Sequence, residues 1–449
     1  MFKNKFILLI LTTSLLMSCS RSLHQQGTAS NWFAQSNIYE VNLRQYTASG
    51  TIKEFQTHLP RLRAMGVEIL WFMPVTPIGL KERKMTPAEL GSYYAVRNYT
   101  AINPEFGTMA DWKALVNDAH QRGFKVIIDW VPNHTAADHP WLTSNPDFYE
   151  KDAKGEPVIP YDWTDVRQLD YSNKKLRDSM FNAIKFWVQE TGVDGFRVDQ
   201  AFKIDLNFWQ RTIPELNKIR SLFWLAESDP AEHTNLFADG LFHAGYTWKW
   251  MHKTREFYQN KLPLSALEEV LQTYNNSKGI KMWFTSNHDE NSWNGTEFEK
   301  YGAMADALAV FSSTWKGIPL IYSGQEVPNT RRLKFFVRDP IQWTHFKMAP
   351  FYSTLLKLRK STPALAVDAS NTRLTTTNEQ AILGYVREKE GRKVSVLLNL
   401  SDKPQTFNVT SSSITGSAKN VFTGVNENLS TDKIISVPAW GYLVYDYGR

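Results

Sequence analysis

The sequence predicts a (β/α)8 barrel with an insertion after its third strand, followed by a separate all-β domain. Three observations carry that expectation. Eight short β-branched or aromatic runs alternate with amphipathic stretches between residues 38 and 322. One of the intervening segments, 134–173, is far longer than an ordinary βα connection and is rich in Pro, Asp and Trp. After Pro363 the helical period gives way to short alternating runs separated by Asn, Ser, Gly and Asp.

The eight runs begin with Ile38–Val41, Val67–Phe72 and Lys125–Asp129, and continue with Gly195–Asp199 and Phe223–Glu227. A weaker candidate, Leu241–Tyr246, precedes Met282–Thr285 and Ile318–Tyr322. Their near-continuous apolar character is that of parallel strands buried on both faces. Between them, Phe55–Met65, Met109–Arg122 and Lys174–Glu190 carry apolar residues at three- and four-residue spacing, and Gly66 and Gly123 stand where two of these helices should stop. The C-terminal runs Ala381–Val386, Lys393–Leu400 and Ile434–Tyr445 predict a β-sandwich. The organisation expected is therefore a leader over 1–18, a tether over 19–31, the barrel over 32–362 with its insertion at 134–173, and the sandwich over 363–449.

Lys3 and Lys5 precede a mostly apolar run, Phe6–Leu16, too short to span a bilayer, and Leu16-Met17-Ser18 leads into Cys19. Cys19 is the only cysteine, so no internal disulfide is possible. A small residue directly before it resembles a bacterial lipoprotein signal, with Cys19 as the acylated N-terminus. The expected location is the bacterial cell envelope, at the outer membrane, with the lipid anchor as the only membrane attachment. The net charge is +6 without a long run of like charge, which argues against a nucleic-acid partner. The 16 Trp, 18 Tyr and 26 Phe suit an aromatic core and sugar-stacking surfaces equally.

In such a barrel, polar residues at the C-terminal ends of strands face the ligand. Four strands end in a concentrated set: Asp129-Trp130-Val131-Pro132-Asn133-His134, Arg197-Val198-Asp199, Glu227, and Asn287-His288-Asp289. Burying the three carboxylates of the fourth, fifth and seventh strands at one mouth, with two His and one Arg, for stability alone would be costly.

These blocks, with Tyr94 twelve residues before Phe106-Gly107-Thr108 and with Gly317-Ile-Pro-Leu-Ile-Tyr-Ser-Gly-Gln-Glu326, resemble glycoside hydrolase family 13, the α-amylase family, from about Trp32 onward. The resemblance implies retaining hydrolysis of α-1,4-glucans or their oligosaccharides. Asp199 would be the nucleophile, Glu227 the general acid/base and Asp289 the third carboxylate, holding sugar hydroxyls. Tyr94, His134, Arg197 and His288 would bind the same sugar. The residues agree with these roles. Arg197 and Asp199, two apart on a strand, share a face, and a guanidinium there favours ionised Asp199. The apolar Phe223–Ala226 before Glu227 favours its protonated form.

A transglycosylase or α-glucosidase could use the same groups, since only the acceptor and cleft shape differ. A sugar-binding protein without turnover would have no need of all three carboxylates.

The sequence departs from many α-amylases at Phe202 and Lys203, where Lys and His are common. It also departs at Gln168, where calcium-dependent members carry Asp. With Asn133 left beside a neutral Gln168, and Lys203 able to repel a divalent ion or replace its charge, the expectation is no metal and no cofactor.

Overall fold

A computed structural model describes residues 31–83 and 89–448. The leader, most of the tether and Cys19 lie outside the described residues.

Eight parallel strands close a barrel. They are β1 (Ile38–Val41), β2 (Ile69–Phe72), β3 (Lys125–Trp130), β4 (Gly195–Val198), β5 (Phe223–Ala226), β6 (Ala244–Tyr246), β7 (Ile280–Trp283) and β8 (Ile318–Tyr322). Each pairs with its chain neighbours, and β8 closes on β1. Alternation sorts their side chains. Tyr39, Leu70, Val126, Phe196 and Trp224 pack outward with the helices. Ile38, Ile69, Trp71, Ile127, Phe223 and Leu225 belong to a second core that fills the barrel. Gly195 starts β4 on the inward face, where an added Cβ would lie 2.0 Å from the Phe223 carbonyl oxygen. Only glycine lets β4 run that close to β5.

The helices depart from expectation at their ends. Phe55–Met65 is two helices, Ile52–Gln56 and Leu59–Met65. Pro60 in the first turn of the second has no N–H to continue a helix from the first. Met109–Gln121 opens on a capping box between Thr108 and Asp111. Lys174–Phe186 passes into a wider π-turn, Trp187–Thr191, and stops at left-handed Gly192.

The segment after β3 forms a small antiparallel pair, His134–Ala136 with Val166–Gln168. Beyond the barrel lie β9 (Ser370–Leu374), β10 (Ile382–Lys389), β11 (Arg392–Asn399), β12 (Gln405–Phe407), β13 (Gly416–Asn420), β14 (Asn426–Leu429), β15 (Ile435–Val437) and β16 (Tyr442–Asp446). Six form one sheet in the order β9-β10-β11-β16-β13-β14, and β12 pairs with β15. One face of the large sheet packs Leu397, Ile382 and Tyr445 with Phe407 and Val437 of the ribbon. The other sends Leu383, Tyr385, Val396 and Val444 into the barrel-filling core. Among the described residues no helix is long and apolar enough to cross a membrane.

Candidate active site

The site begins with strand register. Asp129 on β3 lies opposite Arg197 on β4, and both point inward. Asp199 follows β4, its N–H still bonded to the Trp130 carbonyl, and Glu227 follows β5 with its N–H on the Val198 carbonyl. The ladder thus carries both carboxylates one residue past the strand ends.

Arg197, fully buried, is the hub. Its Nη1 donates to Asp129 Oδ1 at 3.0 Å and Asp199 Oδ1 at 2.8 Å, and its Nε donates to Tyr246 Oη at 3.1 Å. Its Nη2 lies 2.9 Å from Glu227 Oε1. The Glu227 carboxyl is also within hydrogen-bonding reach of Asp199. Gln200, left-handed at φ 42° and ψ 44°, turns its backbone N–H onto Glu227 Oε2 at 2.9 Å. Non-glycine residues rarely adopt that conformation, and its place here marks a functional turn.

The electrostatics separate the carboxyls. Burial raises Asp199 from the ordinary aspartate range; Arg197 opposes the rise and Asp129 adds to it. Asp129 is raised by burial and likewise opposed by Arg197. Burial pushes Glu227 up to about 7, against Arg197, with Asp199 and Asp289 adding to the rise. A proton on Glu227 near neutral pH is what a general acid needs. Arg197 therefore restrains Asp199, as its spacing implies, without bringing it below the usual range.

Asp289 follows β7 with its side chain 38% exposed, and His288 Nε2 lies 3.3 Å from its Oδ2. His288 itself is buried. Its Nδ1 is 2.5 Å from Glu40 Oε1 and its Nε2 is 2.7 Å from Tyr94 Oη. Burial would lower this imidazole, but Asp289 and Glu40 outweigh it and hold it at about 9.

A pocket of about 290 Å³ opens over these groups, lined by Tyr94, His134, Trp163, Asp199, Gln200, Glu227, Asp289, Trp293, Phe335 and Phe336. Tyr94 makes offset stacked contacts with His288 and Phe335, with ring centroids 5.7 and 6.3 Å away, and its hydroxyl also donates to Asp129 at 3.2 Å. The structure thus puts Asp199, Glu227, Asp289, Tyr94 and His134 on the wall. Arg197 and His288 stand behind it, outside the lining and ion-paired with the protein's own carboxylates, rather than on the sugar side the resemblance implies.

Sequence reasoning missed Glu40, although a lone carboxylate in an apolar strand is a visible signal. It also missed the aromatic wall of Trp163, Trp293, Phe335 and Phe336, which comes from a short π-helical turn, Glu290–Asn294, and from loops without periodic pattern.

Lys203 does not stand in for a cation beside Asn133. Its ammonium lies over the rings of Tyr161 and Phe202, 5.7 and 5.4 Å from their centroids. Asn133 and Gln168 do not offer a metal free oxygens. Asn133 Oδ1 accepts from Gln168 Nε2 at 2.9 Å, and Asn133 Nδ2 donates to Gln168 Oε1 at 3.2 Å. A calcium ion needs about six to eight oxygen ligands. Among the described residues no group of three His, Cys, Asp or Glu side chains could hold a metal.

Residues 25–168 match the family model described as alpha amylase, catalytic domain. The chain is similar to Alpha-amylase 2 of Dictyoglomus thermophilum, 26% identical over 90% of this chain and 72% of that protein. It is 28% identical to Alpha-amylase MalA of Haloarcula japonica over 84% of this chain and 57% of the other. Among solved structures, an alpha-amylase from Lactobacillus plantarum superposes with a TM-score of 0.81 at 28% identity, covering 93% of this chain and 99% of that one. A noncanonic maltogenic alpha-amylase, AmyB of Thermotoga neapolitana, does so at 0.82 and 27%, with the same coverage.

Proposed function

We propose that this chain, an α-amylase-type glycosidase of glycoside hydrolase family 13, hydrolyses α-1,4-glucosidic bonds of maltodextrins with retention of configuration. The observation that carries this is one buried guanidinium holding Asp199 at 2.8 Å and Glu227 at 2.9 Å beneath a pocket. With the Glu227 carboxyl within hydrogen-bonding reach of Asp199, there is no room for the water that an inverting enzyme places between groups roughly 6.5–9.5 Å apart.

In the first step Glu227 protonates the glycosidic oxygen while Asp199 attacks the anomeric carbon. The leaving sugar departs with that proton, and a glucosyl ester forms on Asp199. In the second, Glu227, now a carboxylate, takes a proton from water as the water oxygen bonds to the anomeric carbon. The ester breaks and Asp199 is released as a carboxylate. Arg197 stabilises both negative states, and the Gln200 N–H stabilises Glu227 between steps. Asp289, on the wall, grips the sugar hydroxyls, with Tyr94 as its stacking face and His134 as a donor.

Proton NMR of the first products from maltoheptaose tests this: the α-anomer should appear first, and a β-anomer would overturn retention. A 2-fluoro α-glucosyl donor should label Asp199; label on another carboxylate refutes that role.

Transfer to a second sugar is the other reading. An exposed ring favours it: Phe202, three residues beyond Asp199, stacks on His233 with centroids 4.4 Å apart. A ring there suits a sugar acceptor. Longer oligosaccharides among the products from maltoheptaose, pullulan or panose would establish it.

We further propose that Cys19 is diacylated and anchors the chain to the cell envelope, on the strength of Leu16-Met17-Ser18 before it. Mass spectrometry finding an unmodified N-terminus elsewhere would overturn this.

A further inference from the structure

His134 sits where the inserted segment leaves the barrel. In the antiparallel pair it lies opposite Gln168. Asn133, one residue earlier, ties that pair together three times. Its backbone carbonyl accepts from the Leu169 N–H at 3.1 Å. Its side-chain oxygen accepts from Gln168 Nε2 at 2.9 Å, and its side-chain nitrogen donates to Gln168 Oε1 at 3.2 Å. The same nitrogen faces His134 Nδ1 at 3.2 Å.

Two consequences follow from donor and acceptor inventories alone. An amide nitrogen offers only protons, so His134 Nδ1 presents its lone pair and the neutral ring carries its hydrogen on Nε2. The Asn133 amide is in turn locked to that of Gln168, because only an amide both donates to Asn133 Oδ1 and accepts from Asn133 Nδ2; the two can reverse only together, and the arrangement observed is the one that leaves Asn133 Nδ2 facing His134. An aspartate or glutamate at 168 would accept but not donate. It would free Asn133 Oδ1 for a cation; glutamine closes that position with a hydrogen.

We infer that Gln168 is a positioning residue which, through Asn133, fixes the tautomer of His134 and pins the insertion to the barrel by hydrogen bonds instead of a bound cation. The ring also reaches the Tyr94 backbone, so Nε2–H is the donor that His134 would share with a sugar in the pocket it lines. Gln168 itself is absent from that wall, so its effect on substrate passes through His134. In its kinetic part the inference rests on the proposed sugar-binding role of the pocket; the tautomer and the metal independence do not.

Nitrogen-15 NMR of histidine-labelled protein, with the His134 signal assigned by its loss in His134→Ala, should show the Nε2-protonated neutral form. A proton on Nδ1 would mean that both amides are reversed, and the inference falls. Wild-type protein dialysed against EDTA should keep its melting temperature and kcat/KM. A loss of either that calcium restores overturns the cation-free pin. Gln168→Leu, of similar volume but without hydrogen bonds, should lose the single tautomer and about tenfold in kcat/KM, the scale of one buried polar partner left unpaired. In a His134→Ala background the same change should cost nothing further. An equal loss in both backgrounds would show that Gln168 does not act through His134. Should Gln168→Leu fail to fold, the NMR and chelation results on wild-type protein still decide. Should the chain prove inactive on every glucan, those two measurements stand apart from the failure of the functional reading.

Discussion

The Gln200 N–H donates to Glu227 Oε2 at 2.9 Å only because Gln200 holds a left-handed backbone, at φ 42°. The turn costs about 1–2 kcal/mol for a residue with a Cβ and aims a donor at the proposed acid/base. Gln200→Gly keeps both N–H and conformation and should retain turnover within a few-fold. Gln200→Val disfavours the conformation and should lower kcat at least tenfold and the melting temperature with it. Equal kinetics for the two variants would show that the backbone donor is irrelevant.

Among the described residues Arg197 is the only cation in contact with Asp129, Asp199 and Glu227 together. Lysine is a point charge on a flexible stem and cannot divide itself among three carboxyls. Arg197→Lys should therefore reduce kcat by about a thousandfold, the order seen when a preorganised electrostatic donor is lost. The protonation of Glu227 should also shift upward, because the guanidinium opposing its rise is gone. An alkaline limb that stayed in place would contradict this charge assignment.

The pH dependence of kcat/KM should be bell-shaped. In the proposed mechanism activity requires Asp199 ionised and Glu227 protonated, so it should rise as Asp199 loses its proton and fall as Glu227 loses its own, near pH 7. The two groups interact, so the limbs report the pair. His288, held at about 9, stays charged across this range and should contribute neither limb. Steady-state rates on maltotetraose from pH 4 to 9, extended with a Glu227→Gln comparison, provide the check; a plateau through pH 8 would contradict the acid assignment.

The same burial has a price in stability. The folded value of Glu227 is about 7, against an ordinary 4.5. A raised folded value means the proton-linked stabilisation is complete below the ordinary value and is lost as pH rises through the folded one. Glu227→Gln never ionises. Its melting temperature should gain on wild type progressively between about pH 4.5 and 7 and hold a constant lead above that. Calorimetry at pH 4, 6 and 8 measures the difference; a lead that shrank with rising pH would mean that Glu227 is stabilised as a carboxylate.

The legible parts of this protein are those that obey a period. Strand alternation placed Arg197 and Asp199 on one face, and the apolar run before Glu227 anticipated its raised protonation. Register between non-adjacent segments is invisible to such reasoning. Nothing in the local pattern says that Asp129 faces Arg197, or that Glu40 reaches His288 from 248 residues away. His288 was expected against sugar for the same reason: its partners, Glu40 and Tyr94, come from distant segments. Lys203 could be placed near the nucleophile by counting, but its direction depended on Tyr161 from the inserted segment. Pro60 is the opposite case, a local break inside a segment whose apolar spacing alone is that of one helix.

The C-terminal sheet has no face of its own to spare. Tyr385 hydrogen-bonds Thr314 of the helix before β8, and Arg387 donates to the backbone carbonyls of Thr314 and Ala366 across the same seam. With Val396 and Val444 part of one continuous core with Leu308, Phe311 and Trp315, the seam is a shared wall rather than a hinge. Chimeras that splice a relative's sheet onto this barrel at residue 362 would inherit two unmatched surfaces at once. Successful recombination has to carry the helix ending at Thr314, β8 and the sheet as one cassette, and chains of this architecture are expected to exchange that cassette whole.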